Sequence, residues 1–352
     1  MKKIERRKAD HIDVTLEEPI SSIHNYWDDI KLIHDSLPEL NVDDIDTSTT
    51  IFGKKLAFPL IVTAITGGYS KAEKINRNIS EACQNLRIGM GIGSQRAALE
   101  SSEETSYSVM KDYDIPLKIG NVGAPQLVKQ KGKEPMSKAE LKRAVDMVDA
   151  DLLGIHLNFL QEMVQSEGDA NASGCLNAIR EIAKEFPILV KETGAGISKG
   201  VATRLKGTGI RGIDVSGTGG TSFSAIEMYR SKRMGDPRGV TLGRTLRDWG
   251  IPSPVCVIWA NVGLPLIASG GITDGVQMAK GLVLGAKCGG TARSVLKEAL
   301  ESPKRVEEKL VLMLEEFKVA MFLTGSKSVD ELGKRDYIIT GAVKDWIDGI
   351  SK

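Results

Sequence analysis

Cysteine is too sparse and too scattered in this sequence to build anything covalent or metallic. Cys83, Cys175, Cys256 and Cys288 have no C-x-x-C spacing, which excludes a common zinc site and a disulfide framework and fits a cytoplasmic location. An excess of charge of one sign is also missing. The 47 Lys and Arg residues stand against 46 Asp and Glu, so no global field directs the chain to nucleic acid or a membrane surface. Any anionic ligand must therefore be met by local clusters. No apolar run reaches the length of a membrane span, and Met1 to His11 lacks the apolar stretch of a signal peptide, so neither spanning nor secretion is expected. Aromatic residues make up only 5% of the chain, and no histidine follows His156.

What is present is a rhythm. The 352 residues, 41% hydrophobic and 26% charged with 37 glycines, suit a soluble α/β enzyme. From Pro59 onward eight short apolar runs alternate with helical spacers: Pro59–Ile65, Gly89–Ser94, Pro116–Val122, Leu152–Phe159, Pro187–Thr193, Gly212–Gly217, Pro265–Gly271 and Cys288–Arg293. The spacer Ser137–Val148 opens with a serine and carries Glu140 at the capping-box position. Eight such alternations predict an α/β fold, a parallel (β/α)8 TIM barrel. A doubly wound sheet would carry G-x-G-x-x-G after its first strand, where this chain reads Ala64-Ile65-Thr66-Gly67-Gly68. The expected divisions are an N-terminal extension over 1–55, the barrel over 56–325 and a C-terminal helical segment over 326–352, with Pro303–Leu323 a long amphipathic helix. The interval 219–263 holds Arg230, Lys232, Arg233, Arg238, Arg244 and Arg247 among glycines, and its length predicts either a lid that is partly disordered without ligand or an ordinary surface excursion with a helix inside.

In the fourth run Leu153, Ile155, Leu157 and Phe159 alternate with Gly154, His156 and Asn158, which predicts a strand with a polar inner face. Gln161 and Glu162 follow at a strand-to-loop junction on the rim. In a barrel the C-terminal strand ends share one face, and here they collect Ala64, Ile65 and Thr66; Ser94, Gln95 and Arg96; Asn121; His156 and Asn158; Lys191; Ser216; Gly270 and Gly271; and Ala292 and Arg293. Glycine clusters after strands seven and eight point to a phosphate held by bare N–H groups. Lys191 at an apolar mouth needs a counter-charge: a carbonyl substrate as a Schiff base, the N1–C2=O edge of a flavin, or a structural pair with Asp214. Asn121 and Ser94 suit the flavin edge. The basic cluster Arg6-Arg7-Lys8, with His11 one turn on, is either an exposed helix start or an arm that brings cations to an anionic substrate. With Ser94-Gln95-Arg96 and Glu162 it suits a diphosphate whose oxygens share a Mg²⁺ with the carboxylate.

Several of these stretches together resemble the type 2 isopentenyl diphosphate isomerases. They are Arg7-Lys8 with His11, Ala64 to Gly68, Gly93-Ser94-Gln95-Arg96, His156-Leu157-Asn158 with Gln161-Glu162, Val190-Lys191-Glu192, Ser216-Gly217 with Gly219-Gly220-Thr221, and Ala268-Ser269-Gly270-Gly271. The resemblance runs from residue 5 to the last helix. It implies an FMN- and Mg²⁺-dependent barrel that interconverts isopentenyl and dimethylallyl diphosphate as a homotetramer or homo-octamer. It places FMN on Ala64, Ile65, Thr66, Ser94, Asn121, Lys191, Ser216, Thr221, Gly270, Gly271, Ala292 and Arg293, and substrate on Arg7, Lys8, His11, Ser94, Gln95, Arg96, Asn158 and Gln161. Glu162 would hold magnesium, Gln161 and His156 would orient substrate or a proton relay at the reaction centre, and NADPH would reduce the flavin. The chain departs from the family at Ile65, where Met is usual, and at Phe223, where Trp is common. Rival barrels fit less well: a flavin-dependent 2-hydroxy-acid oxidase requires a late histidine base, and IMP dehydrogenase, a phosphate-binding barrel, a loop cysteine that neither Cys256 nor Cys288 supplies. A non-catalytic phosphate-binding scaffold would bind no flavin.

Overall fold

The computed structural model describes residues 3–69, 71–101 and 103–349, with side chains described from residue 7 onward except that of residue 101. The eight runs become the strands β1 (Leu60–Val62), β2 (Gly89–Gly91), β3 (Lys118–Gly123), β4 (Leu152–Leu157), β5 (Ile188–Glu192), β6 (Gly212–Asp214), β7 (Leu266–Ala268) and β8 (Cys288–Thr291). They pair in parallel in sequence order, and β8 returns to β1 through Gly289↔Leu60, Gly290↔Ile61 and Thr291↔Val62, which closes the barrel. The predicted fold class is the observed one.

Side-chain parity explains where the core lies. In β4, Leu153 and Ile155 face outward into the layer packed by helices, whereas Leu152 faces inward with Ile61, Ile119, Leu189, Ile267 and Cys288. A hairpin of Thr49–Ile51 and Lys54–Leu56 closes the bottom, burying Ile51 and Leu56 in that interior cluster. The barrel is thus plugged with hydrocarbon below and polar above.

Three helices bear on the site, α1 (Lys3–Glu17), α2 (Phe159–Val164) and α3 (Phe223–Met234), while α4 (Pro303–Leu323) packs in the outer core. After α1 the extension crosses the barrel rim. Ser22 N–H donates to the Gly220 carbonyl at 2.8 Å, Ser222 N–H donates to that of Ile20 at 2.9 Å, and the fully buried Trp27 donates its Nε1–H to the Gly270 carbonyl at 2.8 Å. The side chain of Arg6, part of the expected basic cluster, lies outside the described residues.

Two expectations are corrected here. The interval 219–263 is not a loose lid but contains three helices, α3, Pro237–Thr245 and Ser253–Ala260. Its first two helices are capped by Ser222, which accepts from Ala225 N–H at 3.2 Å, and Asp236, which accepts from Arg238 N–H at 3.0 Å. Its cations are also tied: Arg230 pairs with Glu227 and Glu167, Arg233 with Glu17, and Arg247 donates to the Ser21 carbonyl at 3.0 Å. The C-terminal segment, expected to be helical, holds the strand Tyr337–Ile339 between Val329–Leu332 and Gly341–Gly349. That strand pairs antiparallel with Ile30–Leu32, joining the two ends of the chain. Among the described residues no helix is long and apolar enough to cross a membrane.

Candidate active site

A cavity of about 260 Å³ opens at the C-terminal mouth of the barrel. Inward parity carries each strand from hydrocarbon into polar side chains there. The registers Gly123↔His156, His156↔Lys191 and Lys191↔Asp214 set three titratable groups side by side on adjacent strands.

His156 is the first of them. Its Nδ1 lies 2.8 Å from Asn121 Oδ1, and the Asn121 amide is oriented by donating its Nδ2–H to the Ile92 carbonyl at 3.0 Å. The proton therefore sits on Nδ1 and Nε2 is left as an acceptor. Burial, with Lys191, Lys8 and Arg96 nearby, pushes the imidazole down to about 3, so it is neutral at physiological pH. Lys191 donates to the Glu192 carbonyl at 2.9 Å and forms no ion pair among the described residues. The adjoining loop is held by Glu192, whose Oε2 accepts the backbone N–H groups of Thr193 and Gly194 at 2.6 Å, of Gly196 at 2.9 Å, and of Ala195.

At one pole the cavity is lined by backbone. Gly270 and Gly271 have φ of +88° and +86°, and a Cβ on Gly270 would lie 2.5 Å from the Gly217 carbonyl. A Cβ on Gly220 would lie 2.3 Å from the Gly271 nitrogen. Arg293 reaches this pole after β8, donating to Ser21 Oγ at 2.6 Å with no carboxylate partner among the described residues. Burial lowers its pKa. Bare N–H groups beside an unneutralised guanidinium fit a phosphate.

At the opposite pole Asn158, Gln161, Glu162 and Gln165 follow one face of α2 from its N-cap to its C-cap, so Gln161 and Glu162 lie on a helix, not at the expected loop junction. The Glu162 carboxylate accepts from Asn158 Nδ2 at 2.9 Å, Gln165 Nε2 at 2.8 Å and the Asp169 N–H at 2.7 Å. Burial raises its pKa, against those donors. Asn158 Oδ1 and Gln165 Oε1 are buried without a hydrogen-bond partner. A carboxylate with two unused amide oxygens is a donor set that fits a hard cation. No group of three His, Cys, Asp or Glu able to hold a metal exists among the described residues, so phosphate or water would have to complete the shell.

Beside it, Lys8 donates to the Ser94 carbonyl at 2.6 Å and to Tyr107 Oη at 3.0 Å, with no carboxylate partner among the described residues. Burial, reinforced by Arg7 and Arg96, lowers its pKa to about 7. Arg96 is held by Glu100 and Asp169, both at 2.7 Å, while Arg7 lines the cavity without an ion pair among the described residues.

Of the residues expected at the site, only Gln95 lies off the cavity. It is fully buried, donating Nε2–H to the Ala144 carbonyl at 2.7 Å and accepting the Asn121 N–H on Oε1 at 2.8 Å. It ties β3 to the helix Lys138–Val148, and its expected contact with substrate is corrected. The residue that sequence reasoning missed is Glu227 on α3, 0% exposed. Its Oε1 accepts from Gln161 Nε2 at 2.9 Å and lies 2.8 Å from His11 Nε2, while Oε2 accepts from Arg230 at 3.0 Å. Burial alone would raise this carboxyl, but His11, Arg230 and Gln161 outweigh it and hold it down to about 2. Arg230 three residues on was the only local signal.

Residues 121–339 match the FMN-dependent dehydrogenase family. The chain is 45% identical to the isopentenyl-diphosphate delta-isomerase of Thermoplasma volcanium over 98% of its own length and 99% of the relative's. It is 41% identical to the enzyme of the same name from Archaeoglobus fulgidus, over 97% and 98%. Among solved structures it is similar to a mutant flavocytochrome b2 with pyruvate bound, with a TM-score of 0.67 and 17% identity over 95% of this chain and 83% of that one. A mandelate oxidase gives a TM-score of 0.62 at 18% identity, over 96% and 98%. At such identities the likeness is one of fold.

Proposed function

The chain belongs to the isopentenyl-diphosphate delta-isomerase family, and from that premise we propose that its cavity takes FMN at the Arg293 pole and the substrate diphosphate at the Arg7–Lys8 pole. It is an FMN-dependent isomerase of isoprenoid biosynthesis, interconverting isopentenyl and dimethylallyl diphosphate by a 1,3-allylic proton shift. The observation that carries the two-pole reading is that Arg7 and Lys8 at one end and Arg293 at the other enter a single cavity without carboxylate partners among the described residues.

In this reading Arg293 and the N–H groups around Gly270 and Gly271 would hold the FMN phosphate, and Lys191 would supply a cation to the flavin ring. Ala64, Ile65, Thr66, Ser94, Asn121, Ser216, Thr221 and Ala292 complete that subsite. In its reduced form FMN supplies acid–base chemistry near N5, which lets a redox-neutral reaction depend on a redox cofactor. NADPH serves only to reduce it. Arg7, Lys8 and Arg96 would clamp the diphosphate, and Glu162 with the free oxygens of Asn158 and Gln165 would hold a Mg²⁺ that adds positive charge at this pole. Anchoring the charged end in this way fixes the alkene over the remaining cavity, so that position and not acid strength does much of the work. His156 and Gln161 face the alkene there. His156 keeps its proton on Nδ1 and presents Nε2 as an acceptor, so it orients and does not act as an acid. Glu227 is a positioning residue: one carboxylate oxygen meets both His11 and Gln161. Ile12, Ile65, Phe223 and Ile226 form an apolar wall that excludes water from the reacting carbons.

We further propose that residues 1–55 form an extension contributing substrate-binding residues to the barrel of 56–325, with 326–352 packed on it, and that the enzyme is a cytoplasmic homotetramer or homo-octamer. Isomerisation of isopentenyl diphosphate by the purified protein with FMN and Mg²⁺, with and without NADPH or dithionite under anaerobic conditions, tests the core of this reading. Product is expected only with reduced flavin and metal; flavin uptake without dimethylallyl diphosphate would overturn the substrate assignment. Sedimentation velocity checks the assembly, and a monomer at assay concentration would refute it.

A further inference from the structure

One buried carboxylate under the active site has no part in the roles above. Asp214 ends β6 at 1% exposure, directly paired across the strands with Lys191. Its Oδ1 accepts the Ser269 hydroxyl. With Asn121 and Lys191 it lines a second cavity of about 10 Å³ beneath the first, and Asn121 and Lys191 line both. Apart from Thr63, whose hydroxyl donates to the Thr291 carbonyl, the other side chains lining it are hydrocarbon, among them Ile61, Ile119, Leu189 and Ile267.

The charges around it are few. From β5 Lys191 faces it, from the end of β7 Ser269 does, and His156 on β4, next to Lys191, is neutral. The neighbouring Glu192 carboxylate is turned into its own loop. Burial pushes the Asp214 carboxyl up, opposed by Lys191 and then by the Ser269 hydroxyl. Lys191 thus stands between a carboxylate below and, when FMN is present, a ring above that becomes anionic on reduction. One cation cannot neutralise both.

We propose that Asp214 is a positioning residue that couples flavin reduction to uptake of a proton inside the barrel: it is anionic and neutralises Lys191 while the flavin is oxidised, and becomes protonated when the reduced flavin claims that lysine. The inference rests on the FMN reading. The balance is two electrons and one proton delivered to the flavin at N5, as hydride from NADPH or as electrons from dithionite with a proton from solvent. A second proton passes from solvent to Asp214. Two protons therefore accompany two electrons while the flavin stays anionic at N1.

The test is a reductive titration of the FMN-loaded enzyme across neutral pH, following midpoint potential and reduced-flavin spectrum in wild type, Asp214→Asn and Ser269→Ala. Wild type is expected to show an anionic reduced flavin with a potential whose pH slope corresponds to two protons. Asp214→Asn should halve that slope. At the alkaline end it should favour reduced over oxidised FMN by about tenfold relative to wild type, about 30 mV for a two-electron couple. Ser269→Ala keeps the carboxylate but removes its donor, and should move the steep region to higher pH, which preserves a readout if the Asp214 variant fails to fold. Equal slopes and potentials in the variants and wild type, or a reduced flavin protonated at N1, would overturn the inference while leaving FMN binding intact. Failure of the wild type to take up FMN would instead sink the reading on which it rests.

Discussion

Lys8 carries a charge into a place where two other cations already point, and that makes it the residue whose behaviour is most open to test. Its pKa of about 7 means that the free enzyme loses this charge just above neutrality. Diphosphate affinity is therefore expected to be greatest below pH 7 and to weaken above it, giving kcat/KM an alkaline limb. Lys8→Arg keeps its charge throughout and should flatten that limb; a pH–rate profile in which the limb persists would refute the assignment. Glu227 gives the opposite sign. Its folded pKa of about 2 lies below the ordinary 4.5, so its stabilisation is fully present above pH 4.5 and lost as pH falls toward 2. Urea unfolding of Glu227→Gln across this range should show a deficit of about 3 kcal/mol at neutral pH that shrinks with acidification. The same variant should bind FMN normally yet lose about tenfold or more in kcat/KM, because His11 and Gln161 lose their shared anchor.

Among the elements, those built from local pattern were legible and those built from pairing were not. The capping box at Ser137 and Glu140 forms as expected, and α4 spans the predicted Pro303–Leu323. The strand Tyr337–Ile339 escaped because three residues carry no usable period and only Ile30–Leu32 makes them a strand. The interval 219–263 was read as a lid from its length, yet it folds into helices whose Arg230 and Arg233 are matched by Glu17, Glu167 and Glu227, brought in from other elements or the next helical turn. Two element-level predictions follow from the barrel's two ends. Gly270→Ala places a Cβ 2.5 Å from the Gly217 carbonyl at a φ of +88°, and should weaken FMN binding at least about tenfold in a flavin fluorescence titration. Leu56→Ala in the bottom plug should cost about 2–5 kcal/mol in chemical denaturation while leaving FMN affinity unchanged.

For the molecule as a whole, the extension works as a clasp over the Arg293 end of the cavity, and in the proposed reading it also carries cations for the substrate. Ser21 meets Arg293, Ser22 pairs with Gly220, Trp27 holds Gly270, and the segment Ile30–Leu32 then binds the C-terminal strand. A ligand at that pole should therefore stabilise the entire chain and not the barrel alone. FMN at about a hundred times its Kd is expected to add about 2.7 kcal/mol, read as a single cooperative upward shift of the thermal transition. A shift confined to one of two separate transitions would show that the extension and barrel unfold independently.

By itself the sequence determined the barrel, because eight short apolar runs separated by helical spacers leave few other ways to bury their apolar faces. It also determined which strand ends would meet, since parity and strand polarity place His156, Lys191 and Arg293 on one rim whatever the details of packing. The tertiary structure alone decided which side chain of a neighbouring pair faces the cavity, turning Arg96 toward it and Gln95 into the barrel wall. It alone decided that Glu227, 216 residues from His11, would be the anchor for that histidine and for Gln161. Periodicity is a property of neighbours along the chain, whereas a buried charge is defined by partners that only folding brings within reach.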